Sequence, residues 1–144
     1  MSIEDVKNRF VEEIKLRAFR DRYVDRNEER EILQFAIQQG VADEAARAAL
    51  AQVCEAQGYV LESSVLREVR RQCEMAIGAG GQIDRTEFNV ILGNARRKVQ
   101  GKKDDLQVKR LVIEVMEDAG LNKVKKGWFS DWYAAAKKEV GYKS

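Results

Sequence analysis

Two stretches of this chain carry acidic and apolar residues in a pattern that could belong to a calcium-binding loop. The segments "YVDRNEEREIL" (residues 23–33) and "QIDRTEFNVIL" (residues 82–92) share an apolar residue, Asp-Arg, one polar residue, Glu and then Ile-Leu in register. Calcium takes about six to eight oxygen ligands, and an EF-hand loop supplies them from several acidic positions and a final bidentate glutamate. The question is whether these stretches bind a metal ion or only begin a helix.

The residues that precede each glutamate count against a calcium loop. If Glu87 is the final ligand, loop positions 1, 3 and 5 carry no side-chain oxygen, being Ala76, Gly78 and Gly80. If Glu28 is the final ligand, only one of the same three positions carries a carboxylate, and they are Arg17, Phe19 and Asp21. Too few oxygen ligands remain for calcium in either copy.

A capping box explains the same residues more simply. Asp25 and Asp84 would each accept a hydrogen bond from a backbone N–H at a helix start, and the glutamate three residues later would accept from the aspartate's own N–H. Glu28 and Glu87 stand at that spacing. We therefore predict two capped helices and no cofactor. In the alternative interpretation, the ligands of a divalent metal ion are Asp25, Glu28, Asp84 and Glu87.

The motif also carries a family resemblance. An apolar residue, Asp, two residues and Glu, found twice in a small helical chain at the start of amphipathic helices, resembles the TerB-like family associated with tellurite resistance. The resemblance covers about residues 1–100 and implies an all-helical fold with acidic residues implicated in metal binding. Where that family usually has Ala-Asp-Gly before the motif, this chain has "FRDRY" and "GAGGQ".

A second group of residues suited to binding lies near the C-terminus. The segment "GWFSDWYAAAKK" (residues 127–138) contains both tryptophans of the chain and follows a lysine-rich stretch. Its helix either docks with the aromatic residues inward or presents them to a partner, since tryptophan and tyrosine dominate binding hot spots. The residues predicted to bind a protein partner are Trp128, Phe129, Trp132, Tyr133, Lys125 and Lys126. Nucleic-acid binding by the same aromatic and basic residues is a second alternative.

Composition excludes several kinds of chemistry. The chain has no histidine, which removes histidine-based catalytic triads and most zinc sites. Adjacent carboxylates such as Glu12 and Glu13 point in different directions on a helix and do not form a catalytic pair. Cys54 and Cys73 stand at apolar positions of predicted helices and are expected to be free thiols. We expect a protein that is not an enzyme.

Charge and hydropathy bear on the partners. Residues 1–95 have a net charge of −4, whereas residues 96–144 have a net charge of +6. No apolar run approaches the roughly 20 residues of a membrane-spanning helix, and the N-terminus lacks a signal-peptide pattern. We expect a soluble, cytoplasmic protein that binds an unidentified protein partner and no membrane. Nucleic acid is the weaker alternative as a partner, and the sequence is also compatible with a homo-oligomer.

The periodicity of apolar residues predicts an all-α fold of six or seven helices, in a compact bundle or orthogonal array, with an internal duplication. The chain has no proline, so glycines and capping residues set the helix ends. The expected helices cover about residues 2–20, 25–39, 43–57, 63–77, 84–99, 105–119 and 129–140. Only "GYVL" (residues 58–61) has β character. We predict a duplicated core over residues 1–100 and C-terminal helices over residues 101–144 packed on it within a single domain.

Overall fold

Local capping chemistry sets where most helices of this chain begin. The computed structural model describes residues 2–143, and over these it contains seven α-helices and four strand residues. The helices are α1 (Ile3–Ala18), α2 (Arg26–Gln38), α3 (Asp43–Gln57), α4 (Glu62–Gly80), α5 (Arg85–Val99), α6 (Asp105–Asp118) and α7 (Trp132–Glu139). The predicted all-α class with up to seven helices is confirmed.

The described chain forms two compact units, Met1–Ser64 and Val65–Ser144. In the first unit, α3 packs against both α1 and α2, which also contact each other. Its core is formed by apolar side chains of these helices, including Val6, Phe10, Ile14, Ile32, Leu33, Ala46 and Leu50. Ala46 and Ala49 of α3 are buried, and their small side chains suit close packing of helices.

Two short strands join the loops of the first unit. β1 (Tyr23–Val24) pairs in parallel with β2 (Val60–Leu61), in a register that sets Val24 opposite Leu61. The backbone N–H of Val60 donates to the carbonyl of Arg22 at 2.9 Å. The β character predicted for residues 58–61 is therefore confirmed, whereas β1 lies inside the motif that was read as a helix start.

The second unit has a similar parallel backbone pairing, which involves one pair of residues. Ile83 forms a parallel bridge with Val124, and its N–H donates to the carbonyl of Lys123 at 2.7 Å. Around this bridge, α6 packs against α5 and against α7. In both units the apolar residue before the capping aspartate is thus a buried β residue, as the predicted duplication requires. The predicted division at residue 100 stays a prediction.

Two helices, α4 and α7, have bounds that differ clearly from the sequence prediction. α4 begins at Glu62, directly after β2, so Ser63 and Ser64 lie inside its first turn and do not cap it. It also continues to Gly80, through glycines that were expected to end it. α7 begins at Trp132 and not near residue 129, because Asp131 caps it by accepting from the N–H of Ala134 at 3.0 Å.

The hydropathy of the helices bears on the expectation that none of them spans a membrane. Within residues 2–143, none of the helices combines the length and the apolar character required to cross a bilayer. Ile37 of α2, although apolar, is 47% exposed.

Candidate functional site

Both copies of the motif form capping boxes. The N–H of Glu28 donates to Asp25 Oδ1 at 2.8 Å, and the N–H of Asp25 donates to Glu28 Oε1 at 3.1 Å. The second copy has the same two bonds, at 2.7 Å and 3.1 Å, between Asp84 and Glu87. The predicted capping of α2 and α5 is confirmed. One oxygen of each of the four carboxylates is therefore engaged by backbone.

The loops before these caps nevertheless share a backbone feature with calcium loops. Arg22 and Gly81, each six residues before the glutamate of its motif, both adopt the left-handed conformation, with φ of 53° and 80°. An EF-hand loop has its invariant glycine at that position. Because glycine occupies it only in the second copy, the first copy holds an arginine in a conformation that costs roughly 1 kcal/mol.

Oxygen ligands are what these loops lack. Within residues 2–143, no group of three or more histidine, cysteine, aspartate or glutamate side chains is placed to hold a metal ion. Partial burial raises the pKa of Glu28 above its ordinary value. The arrangement fits helix capping better than coordination, and metal ligation by Asp25, Glu28, Asp84 and Glu87 stays a prediction.

The predicted aromatic partner-binding residues fall into two pairs. Trp132 and Tyr133 are buried, and their rings contact Phe88 of α5 with centroid distances of 5.1 Å and 6.3 Å. Phe129, from the same segment, precedes the helix. Trp132 and Tyr133 hold α7 against α5, in the inward-facing arrangement that the sequence offered as one of two alternatives. Their binding of a protein partner stays a prediction.

The other pair projects into solvent. Trp128 and Phe129 are 90% and 94% exposed, and their rings meet edge to face with centroids 6.2 Å apart. Lys125 and Lys126 are exposed in the same loop, and Lys126 Nζ lies 3.5 Å from Asp131 Oδ2. The structure thus keeps Trp128, Phe129, Lys125 and Lys126 as surface residues.

A groove that sequence reasoning missed lies between α4 and α5. Its volume is about 740 Å³, and it is open to solvent. Its lining residues come from one face of each helix, and they are Glu68, Arg71, Gln72, Met75, Ala76, Thr86, Glu87, Val90, Ile91, Asn94, Arg97 and Lys98. Met75 and Val90 are 61% and 57% exposed there. The sequence signal was an apolar residue outside the buried stripe of each helix.

Polar contacts fix the middle of this groove. The side-chain amide of Asn94 donates to Gln72 Oε1 at 2.8 Å, and that of Gln72 donates to Glu68 Oε1 at 3.0 Å. Hydrogen bonds from Arg71 and Gln72 lower the pKa of Glu68 to about 2, so this carboxylate stays ionised at neutral pH. The network joins α4 to α5 while the apolar side chains beside it remain uncovered.

The basic residues of the groove gather at one end. Arg97 and Lys98 belong to the last turn of α5, and Arg71 lines the groove from α4, where it pairs with Glu68. Glu68 is the acidic lining residue at that end, whereas Thr86 and Glu87 line the other end, in the first turn of α5. The groove therefore offers an apolar floor that runs toward a cationic end.

The thiols do not form a nucleophilic site. Cys54 and Cys73 are both buried and unpaired. Burial raises the pKa of Cys54 to about 12 and that of Cys73 to about 11, so both are protonated at neutral pH. A buried, protonated thiol packs against apolar side chains and does not act as a thiolate nucleophile.

Comparison with known proteins adds no assignment. No protein-family model, curated protein or solved structure matches this chain. The resemblance to the TerB-like family stays a prediction, and function has to be argued from the surfaces described above.

Proposed function

We propose that this chain is a non-enzymatic protein-interaction module of the cytoplasm, and that its α4–α5 groove binds an amphipathic helix of a partner protein. The observation that carries the proposal is the exposure of Met75 and Val90 on facing helices within a single groove. Exposed apolar side chains that line a groove between two helices are typical of helix-in-groove recognition.

The shape of the groove favours a helix over a small molecule. Its lining on α5 runs from Thr86 to Lys98, which is roughly 18 Å along the helix axis at about 1.5 Å per residue. The lining on α4 runs from Glu68 to Ala76. An open trough of that length matches about three turns of a bound helix, whereas small-molecule sites enclose most of their ligand.

Charge specifies the partner further. Arg71, Arg97 and Lys98 outnumber Glu68 at one end of the groove. A helix whose apolar residues recur at i, i+3, i+4 and i+7 and whose acidic residues lie at the corresponding end would complement it. Complementary charge would also set the direction in which the helix binds.

The other interpretations have less structural support. Metal binding by Asp25, Glu28, Asp84 and Glu87 competes with their capping bonds. Nucleic-acid binding would rest on Trp128 and Phe129, whose edge-to-face rings do not offer two parallel stacking faces. Both alternatives stay predictions, as does a homo-oligomer.

Selection from a displayed peptide library tests the proposal without knowledge of the natural partner. The bait is the full chain, and the counter-bait is Val90→Glu, which sets a charge in the groove at an exposed position and should fold normally. We expect the wild-type chain to enrich amphipathic peptides with acidic residues at one end.

Leu106→Glu provides the matched control. Leu106 is 49% exposed on α6, outside the groove lining, so this bait should enrich the same peptides as the wild-type chain. Enrichment that survives Val90→Glu, or a lack of any shared amphipathic pattern, would remove the groove as the binding site.

A further inference from the structure

The loop between Val124 and α7 carries an exposed aromatic tip, which we define as Gly127–Ser130. Trp128 and Phe129 stand side by side at this tip and are almost completely exposed. Large aromatic side chains are costly to hydrate, so two adjacent ones at one projecting point indicate a surface that becomes covered. The tip lies outside the lining of the α4–α5 groove.

Both ends of the tip are fixed to the second unit. The N–H of Lys125 donates to the carbonyl of Ile83 at 2.8 Å, before the tip. After the tip, Trp132 donates its indole N–H to the carbonyl of Lys125 at 2.8 Å, and Asp131 caps α7. The turn itself is tight, since a Cβ at Gly127 would lie 3.2 Å from the carbonyl oxygen of Ser130. The aromatic pair therefore projects from an anchored base.

Cationic side chains stand at this base. Lys123, Lys125 and Lys126 are exposed within four residues of the chain. Asp131 is the acidic residue of the loop, and it pairs with Lys126 at 3.5 Å. The charge beside the aromatic tip is thus positive, which selects an anionic surface.

The dimensions of the tip decide between the possible anionic partners. A stable protein interface buries about 800 Å² on each partner, far more than two side chains on a four-residue tip can provide. Single-stranded nucleic acid needs ring faces for stacking, whereas here the two rings meet edge to face. A lipid bilayer interface accepts a small aromatic wedge, with tryptophan at headgroup depth and lysines near anionic lipids.

We propose that the aromatic tip inserts into the interface of an anionic membrane, with Trp128 and Phe129 in the headgroup region and Lys123 and Lys125 against the anionic lipids. This is reversible binding at the membrane surface by a loop. The expectation of no membrane contact was based on the lack of a membrane-spanning segment, which does not concern this loop. The inference is independent of the groove.

Vesicle co-sedimentation tests this inference on the full chain. The probes are vesicles of phosphatidylcholine with about 30% phosphatidylserine, and vesicles of phosphatidylcholine alone. We expect binding to the anionic vesicles that weakens as salt rises, together with a blue shift of tryptophan emission from Trp128. Trp132 is already buried and contributes a constant signal.

Paired variants separate the aromatic and cationic contributions. Trp128→Ala with Phe129→Ala, and separately Lys123→Gln with Lys125→Gln, should each weaken binding by about tenfold or more. The controls are Leu106→Ala and Lys138→Gln, which alter exposed residues elsewhere in the same unit and should bind as the wild type does. A melting temperature equal to that of the wild-type chain verifies that each variant is folded.

Three results would overturn the inference. The first is an absence of binding to anionic vesicles at low salt, and the second is equal binding by the aromatic variant and the wild type. The third is binding to a single-stranded oligonucleotide that depends on Trp128 and Phe129 while anionic vesicles fail to bind, which would assign the tip to nucleic acid.

Discussion

Trp132 donates its indole N–H to the backbone carbonyl of Lys125 at 2.8 Å, so the buried tryptophan of α7 holds the base of the loop that exposes the other tryptophan. The Trp132 ring also packs on Phe88, with centroids 5.1 Å apart. The two tryptophans therefore have different roles although four residues separate them. One is buried in the second unit, and the other is exposed at the surface.

This difference predicts opposite effects of two substitutions. Trp132→Ala should lower the free energy of unfolding by about 3 to 5 kcal/mol, because it removes a buried ring and its hydrogen bond. Trp128→Ala should change it by less than about 0.5 kcal/mol, because that side chain is 90% exposed. Urea unfolding followed by circular dichroism measures both. Equal losses in the two variants would contradict the assignment.

The capping boxes predict a loss of stability without a metal. Asp84→Ala should cost about 1 kcal/mol, because it leaves the N–H of Glu87 without its acceptor. Asp118→Ala is the control, since that exposed carboxylate ends α6 at the unfavourable end of the helix dipole and its removal should cost nothing. An increase in Tm with millimolar calcium that Asp84→Ala abolishes would instead favour the metal-binding alternative.

Gly81, which precedes the second capping box, has a left-handed backbone conformation. We therefore predict that alanine substitutions at Gly81 and Gly78 change the stability in opposite directions. Gly81→Ala should destabilise the chain by roughly 1 kcal/mol, because φ there is 80° and a side chain strains it. Gly78→Ala should stabilise it by about 0.5 to 1 kcal/mol, because Gly78 lies inside α4. A Cβ would meet no heavy atom within 4 Å at either position, so contacts do not confound the comparison. Stabilisation by Gly81→Ala would refute the loop conformation.

The buried thiols predict a loss of stability in alkali. Burial in the folded chain raises the pKa of Cys54 to about 12 and that of Cys73 to about 11, from the ordinary thiol value of 9.0. The unfolded chain therefore releases these protons first, and their contribution to stability is complete below about pH 9 and falls as the pH rises toward the folded values.

Urea unfolding at pH 7 and pH 10 measures this dependence. The wild-type chain should lose more free energy of unfolding over that interval than a variant with Cys54→Ala and Cys73→Ala, with a limit of about 1.4 kcal/mol per thiol per pH unit. Burial also raises the pKa values of Tyr23 and Tyr133, and both tyrosines are present in the two chains, although Cys73 contributes the smallest part of the rise at Tyr133. Equal losses in the two chains would show that the thiols titrate normally.

Helix positions could be read from the sequence wherever local chemistry decides them. Asp25 and Asp84 begin helices because a glutamate follows at the capping-box spacing, and Gly58 ends α3 in the left-handed conformation. The same spacing between Asp104 and Gln107 caps α6, and it could have been recognised in advance. These features need no information from distant residues.

Features that depend on distant residues could not be read in this way. Pairing of Tyr23 and Val24 with Val60 and Leu61 fixes the start of α4, and it joins residues far apart in the chain. The α4–α5 groove depends on the separation of two helices, which periodicity does not encode. Met75 and Val90 line one groove only because α4 and α5 lie side by side.

The central claim, that the α4–α5 groove binds an amphipathic helix, is tested most directly by the affinity of one peptide. A fluorescent peptide enriched by the selection is titrated with the wild-type chain and with Val90→Glu, Met75→Ala and Leu106→Glu, and its anisotropy gives each Kd. We predict that Val90→Glu and Met75→Ala weaken binding by about tenfold or more, while Leu106→Glu binds like the wild type. Equal Kd values for all four chains would contradict the account.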